Sequence, residues 1–213
     1  MTPRSPGTCN CEQSDHGAQY IVLTGGPGAG KTAILELARR YFCPHVTVLP
    51  EAASIVFSGG FIRRESLPAK KAAQRAIFHV ENELETLVRE EGQSAIVLCD
   101  RGTLDALAYW PNSEESFWRE VRTTRDKERA RYSAVIHLRT PSVSNGYNHT
   151  NPMRVETVQE AQAIDQRIVK AWEGHPKRFF VEASEEFFDK ARKTIDLIAA
   201  EIPKCCRAGV LKN

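Results

Sequence analysis

The residues best able to do chemistry stand together in one stretch, Tyr20 to Thr32, reading YIVLTGGPGAGKT. Gly25, Gly30, Lys31 and Thr32 satisfy the spacing G-x-x-x-x-G-K-[ST], with a short apolar β-type run before it and a helical pattern after it. That arrangement predicts a phosphate-binding loop. Gly25, Gly26, Pro27, Gly28, Ala29 and Gly30 form the cradle, and its glycines matter because a backbone that curls its N–H groups around an anion takes conformations that only residues without a Cβ adopt at little cost. Lys31 is placed to reach the β- and γ-phosphates of a triphosphate, and the Thr32 hydroxyl to ligate Mg²⁺. The start of the following helix adds its own affinity for anions.

Two further acidic positions have the right context to act with the loop. Ser94 to Cys99 (SAIVLC) is a β-type run that delivers Asp100-Arg101-Gly102, and an acid after such a run is the second half of an NTPase site, holding Mg²⁺ directly or through water. An isolated Asp there is otherwise a helix cap or turn residue, and the upstream loop is what favours the metal role. Arg101 beside it faces the same anionic space and is expected to clamp a transferring phosphoryl group. Glu51 follows the run His45 to Leu49, at the strand end where open parallel sheets bind ligands. Two readings of Glu51 remain open: an acid at a helix start, favoured by the dipole, or a base or anchor for a substrate hydroxyl.

The elements that must position these groups alternate along the chain. A helix is expected from Lys31 to about Phe42, with Ile34, Leu35, Leu37 and Ala38 inward, and Pro44 ends it. FSGGF, 57–61, reads as a turn. A long helix, about Pro68 to Gly92, repeats apolar residues at helical spacing, with Lys70, Lys71, Arg75 and Glu81 on its solvated face; Arg75 is the charge that could instead point into the cleft. His79 reads as structural. Thr103 to Trp110 is expected as a helix, and Ser113 to about Arg131 as one charged helix with Phe117, Trp118 and Val121 inward. Its basic residues are interleaved with Glu120, Asp126 and Glu128, which argues for a solvated face and against nucleic acid. A fourth strand, Ala134 to Leu138, precedes a polar, turn-rich segment, 139–156, expected to be a lid. Arg154 and Arg167 are the cations that a closing lid would bring onto phosphates, although Arg167 reads equally as a surface charge. A helix capped by Thr157 and Glu160 follows, then a strand at Arg178 to Val181 and a last helix from Ser184 to about Glu201.

The chain has 213 residues, a net charge of +2 and ordinary apolar and charged fractions, as expected for one soluble α/β domain, 19–203, between a flexible leader, 1–18, and a loose tail, 204–213. The low net charge gives no reason to invoke nucleic acid or a membrane surface, and no apolar run approaches a membrane span or a signal peptide, so a cytoplasmic protein is expected. Cys43 and Cys99 read as buried thiols. Cys9 with Cys11 and Cys205 with Cys206 read as solvated tail thiols; four thiolates from meeting termini would make a zinc site, but the spacings are not the usual ones.

The series of loop, PEAA after the second strand, DRG-x-x-D-x-L-A-Y after the third, a polar lid and W-x-x-H-P-K-R before the fifth resembles the AAA-like P-loop ATPase and kinase domains grouped with the ribosylnicotinamide kinase domain of the NAD-biosynthesis regulator. The resemblance covers about residues 20 to 203. It implies an α/β P-loop NTPase fold, with a five-stranded parallel sheet in order 2-3-1-4-5 flanked by helices, and ATP with Mg²⁺ as ligands. By the same match Glu51 falls on the acceptor side, Asp100 on the metal side and Arg154 in the lid. A base-reading pocket is not recognisable. The leading expectation is phosphoryl transfer from ATP to a small hydroxyl-bearing, nucleoside-like molecule, through Lys31, Glu51, Asp100, Arg101 and Arg154. The rival is a nucleotide-dependent switch acting on a protein or phosphoinositide partner. Oligomeric state has no signal in the sequence.

Overall fold

The computed structural model describes residues 17–140, 158–183 and 187–207. Five parallel strands form one sheet in the order β2-β3-β1-β4-β5, the order expected from the family resemblance. They are β1 (Gln19–Thr24), β2 (Val46–Leu49), β3 (Ile96–Asp100), β4 (Ala134–Leu138) and β5 (Arg178–Val181). β1 lies at the centre, with Leu23 opposite Asp100 of β3 on one side and Ile136 of β4 on the other. Every residue of β3 and β4 is buried, which explains why both read as continuous apolar runs: a parallel sheet covered on both faces has no wet side to alternate with.

Alternate residues of β1 feed two separate cores. Ile21 and Leu23 pack with Ile34 and Leu35 of α1 (Lys31–Tyr41) and with Ile198 of α7 (Phe187–Glu201) on one face. On the other, Tyr20 and Val22 meet Phe78 and Val88 of α3 (Leu67–Glu91), Phe117 of α4 (Glu114–Val121) and Trp172, just after α6 (Val158–Ala171). Trp172 is fully enclosed, and burying side chains of this size contributes on the order of 3 kcal/mol each. A short α2 (Ala52–Ser58) connects β2 to α3, and 3-10 turns span Thr103–Ala108. Among the described residues no helix is long and apolar enough to cross a membrane.

Several expectations are corrected. The single helix over 113–131 is two, α4 and α5 (Arg125–Arg129), because Arg122 turns left-handed at φ 56° and Thr124 caps the second by accepting the Lys127 N–H at 3.3 Å. Leu37 is exposed, since it lies off the stripe made by Lys31, Ile34, Leu35 and Ala38. Residues 103–108 are 3-10 and not α-helical. Glu81 is not on a solvated face: with Phe78, Glu85 and Val88 it forms the buried stripe of α3. The tail is ordered at its start, where α8 (Lys204–Arg207) carries a fully buried Cys206 and not a solvated thiol. The leader before residue 17, most of the segment read as a lid, with Arg154, and the caps at Thr157 and Ser184 lie outside the described residues.

Candidate functional site

The loop between β1 and α1 turns where the glycines allow it. Gly25 sits at φ 138°, and a Cβ there would strike the carbonyl of Leu138 on β4. Gly30, at φ 89°, passes the chain into α1, so that Ile34 donates its first helical N–H to the Gly30 carbonyl at 3.2 Å. Lys31 is folded back over its own loop, with Nζ donating to the carbonyls of Gly25 at 3.0 Å and Gly26 at 3.3 Å. Burial, with Arg101 nearby, lowers the Lys31 pKa to about 8 against the pull of Asp100, Glu51 and Asp105. A buried ammonium held only by carbonyls is poised to gain from an anion.

Asp100 ends β3 alongside the strand that feeds the loop. It is 8% exposed, and its Oδ1 has no hydrogen-bond partner. Burial raises its carboxyl to about 6 despite Lys31 and Arg101. An orphaned, desolvated carboxylate oxygen fits a cation ligand, the role expected of Asp100 with Thr32, which stands exposed at the mouth of the same cleft.

Arg101 adopts φ 77°, a conformation that costs a residue with a Cβ and that persists only where the surroundings enforce it. Here the guanidinium is tied on three sides: Nε donates to Glu51 Oε1 at 2.7 Å, Nη1 to the Gly25 carbonyl at 3.3 Å, and Nη1 approaches Asp105 Oδ2 at 3.5 Å. Glu51 occupies the N-cap position of α2, as the helix-start reading expects, while its carboxylate points to Arg101 and accepts the Ser54 hydroxyl at 2.6 Å. Burial pushes the Glu51 carboxyl up, but Arg101, Lys31 and these hydrogen bonds outweigh it and hold it at about 2. Arg75 does not enter the cleft; it pairs with Glu120 at 2.5 Å. Arg167 donates to the Ala108 carbonyl at 2.7 Å and lines the cleft wall.

Three acids not assigned from the sequence complete the arrangement. Asp165 of α6 accepts the Gly26 N–H at 3.0 Å and also contacts His137, Arg139 and Thr140, so it braces the loop from behind. Burial opposes its ionisation, yet His137, the Gly26 amide and Arg139 bring its carboxyl down to about 2. Asp105 takes the Thr24 hydroxyl and the Trp172 indole N–H, each at 2.5 Å, which fixes the strand end before the loop. Glu81 lies in the cleft wall, 8% exposed, with Oε1 unpartnered, and burial together with Glu85 raises its carboxyl well above the usual range. A signal for each was present: Asp105 is the second acid of DRG-x-x-D-x-L-A-Y, Asp165 falls on the stripe Ala161, Ile168, Trp172, and Glu81 on that of Phe78 and Val88, and an acid on an apolar stripe is a buried acid.

The cleft lined by Lys31, Thr32, Glu51, Glu81, Asp100 and Arg101 has a volume of about 1460 Å³ and runs from the phosphate loop to the walls formed by α3 and α6. Among solved structures, thymidylate kinase from Candida albicans has a similar fold, with a TM-score of 0.56 over 86% of this chain and 92% of that one, at 12% identity. No curated protein matches the sequence. Residues 20–190 match the family described as the AAA domain, so the chain belongs to that family of P-loop proteins.

Proposed function

We propose that the protein transfers the γ-phosphoryl group of ATP to a small hydroxyl-bearing, nucleoside-like acceptor. The observation that carries this reading is the extent of the cleft. Pockets for one small molecule commonly enclose roughly 300–1,000 Å³, so about 1460 Å³ leaves room for an acceptor beside the triphosphate. The resemblance to ribosylnicotinamide kinase domains supports a ribosyl-type acceptor.

In this reading the amides of the loop's later residues and of the start of α1 hold the triphosphate, since Pro27 has no N–H and the Gly26 N–H is kept by Asp165, and Lys31 exchanges the carbonyls of Gly25 and Gly26 for phosphate oxygens. Thr32 and Asp100 would hold Mg²⁺, which would supply charge neutralisation on the phosphoryl oxygens. Arg101, anchored by Glu51, adds fixed positive charge beside the loop. Glu51 has too low a pKa to be an efficient base near neutrality, so it orients the acceptor hydroxyl as a hydrogen-bond acceptor. The loose transition state of phosphoryl transfer demands little more than position and charge. Arg154, in the segment expected to close as a lid, supplies a further cation.

The test is ATP consumption with Mg²⁺ against nucleosides, ribosylnicotinamide, nucleotides and sugars, with products identified by mass spectrometry. A phosphorylated product made by the wild type and absent with Lys31→Ala is the expected result. A second reading, a nucleotide-dependent switch, is favoured by one feature: Ile55, Phe61, Ile62 and Leu67 stand exposed in the same stretch as Arg63 and Arg64, a mixture suited to a protein or phosphoinositide surface. Tight ATP binding without any product would select it.

A further inference from the structure

Away from the cleft, three side chains with metal-ligating atoms converge from separate parts of the chain. Cys43 follows α1, His45 immediately precedes β2, and Cys206 lies on α8. Their ligand atoms all lie within 4.8 Å of one another, with His45 Nδ1 3.3 Å from Cys206 Sγ. We propose that Cys43, His45 and Cys206 bind one zinc ion.

The geometry is close to what zinc requires. Ligands at Zn–S of about 2.3 Å and Zn–N of about 2.0 Å in a tetrahedron lie roughly 3.5–3.8 Å from each other, so small rotations of these side chains bring all three to the ion. The backbone that carries them is already fixed. The Cys43 carbonyl accepts the Val46 N–H at 3.0 Å, the His45 carbonyl accepts those of Ala95 at 2.8 Å and Ile96 at 3.1 Å, and the Cys206 N–H bonds to the Pro203 carbonyl at 2.9 Å. Held ligands lose little entropy on binding.

Charge and softness select the ion. Cys43 and Cys206 are 2% and 0% exposed and form no disulfide, and on metal binding each releases its thiol proton to solvent. Two thiolates and a neutral imidazole exactly balance a divalent cation, whereas copper(I) would leave a buried negative charge, which is costly in a dry site. Sulfur and nitrogen donors disfavour Mg²⁺ and Ca²⁺. A fourth ligand, such as water, would complete the tetrahedron. The site sits at the amino end of β2, whereas Glu51 follows its carboxyl end, on the order of 15 Å along the strand. Its role is therefore to fasten residues 204–207 to the turn between α1 and β2.

Metal content of the full chain, purified under reducing conditions, tests the assignment. About one zinc per chain is expected, lost in Cys206→Ser and in His45→Ala, and retained in the triple variant Cys9→Ser, Cys11→Ser, Cys205→Ser. Cobalt added to the metal-free wild type should give the near-ultraviolet absorption of thiolate-to-cobalt charge transfer, and chelation should lower Tm by several degrees. Zinc that persists in Cys206→Ser, zinc lost in the triple variant, a Cys43–Cys206 disulfide in place of metal, or cobalt bound without the thiolate band would each overturn it. The cobalt spectrum reads the wild type, so a variant that fails to fold does not blunt the test.

Discussion

The two sides of the cleft are built by different means. The phosphate side is eight consecutive residues, Gly25 to Thr32, that act mainly through backbone amides and carbonyls. The opposite side is assembled from side chains far apart in the chain, Glu51, Glu81, Asp105 and Arg167, each oriented by packing, a hydrogen bond or an ion pair. A contiguous backbone site tolerates little change at its own positions and much around it. A dispersed side-chain site depends on the helices that carry it, and can be altered one group at a time.

The largest effect should come from the contiguous side. Lys31→Ala is expected to reduce turnover by roughly a thousandfold and to weaken ATP binding, measured by product formation and calorimetry. Wild-type ATP affinity in that variant would remove the loop from the mechanism. Glu51→Gln should next lower transfer by about a hundredfold while ATP affinity stays within a few-fold, because the two sides are separable; a parallel loss of both would show that the Arg101 pair also shapes the loop.

Asp165→Asn probes the brace behind the phosphate loop. The folded pKa of Asp165 lies below its ordinary value, so the ionised group stabilises the fold above about pH 4, and that contribution fades as pH falls towards 2. A difference of nearly two units corresponds to about 2 kcal/mol, read as a lower denaturation midpoint at neutral pH and a shallower acid limb in the variant. The smallest effect is expected from pH alone. Lys31 has a pKa of about 8 without a nucleotide, and bound phosphates would raise it. ATP affinity should therefore hold below pH 8 and fall by up to tenfold per unit above it, and Lys31→Arg should shift that decline upwards.

Much of the phosphate side was legible because its determinants are local. Glycines at fixed offsets, a β-type run before and a helical pattern after them specify a loop whose shape needs few distant contacts. Asp100 was legible for the same reason, as the acid ending an apolar run. Where local patterning misled, a helix cap and an ion pair to another helix had intervened. Thr124 turned one expected helix into two by capping the second, and half-buried Arg131, paired with Glu85 of α3 and with Glu128, drew charges inward that a solvated helix would leave in water. Thr123 reinforces that break by donating to Glu128 at 2.7 Å.

By itself the sequence determined the loop, the strands that feed it and the positions of Lys31, Asp100 and Glu51, since each follows from residue type and short-range spacing. Only the tertiary structure decided which charges meet. Asp165 reaches Gly26 across 139 positions of the chain, Arg101 reaches Glu51 across 50, and Cys206 reaches His45 across 161. Pairings at such separations carry no local periodicity. They exist because the parallel sheet, with β1 at its centre, brings the ends of distant strands and helices to common edges, where burial makes an unpaired charge too costly to leave alone.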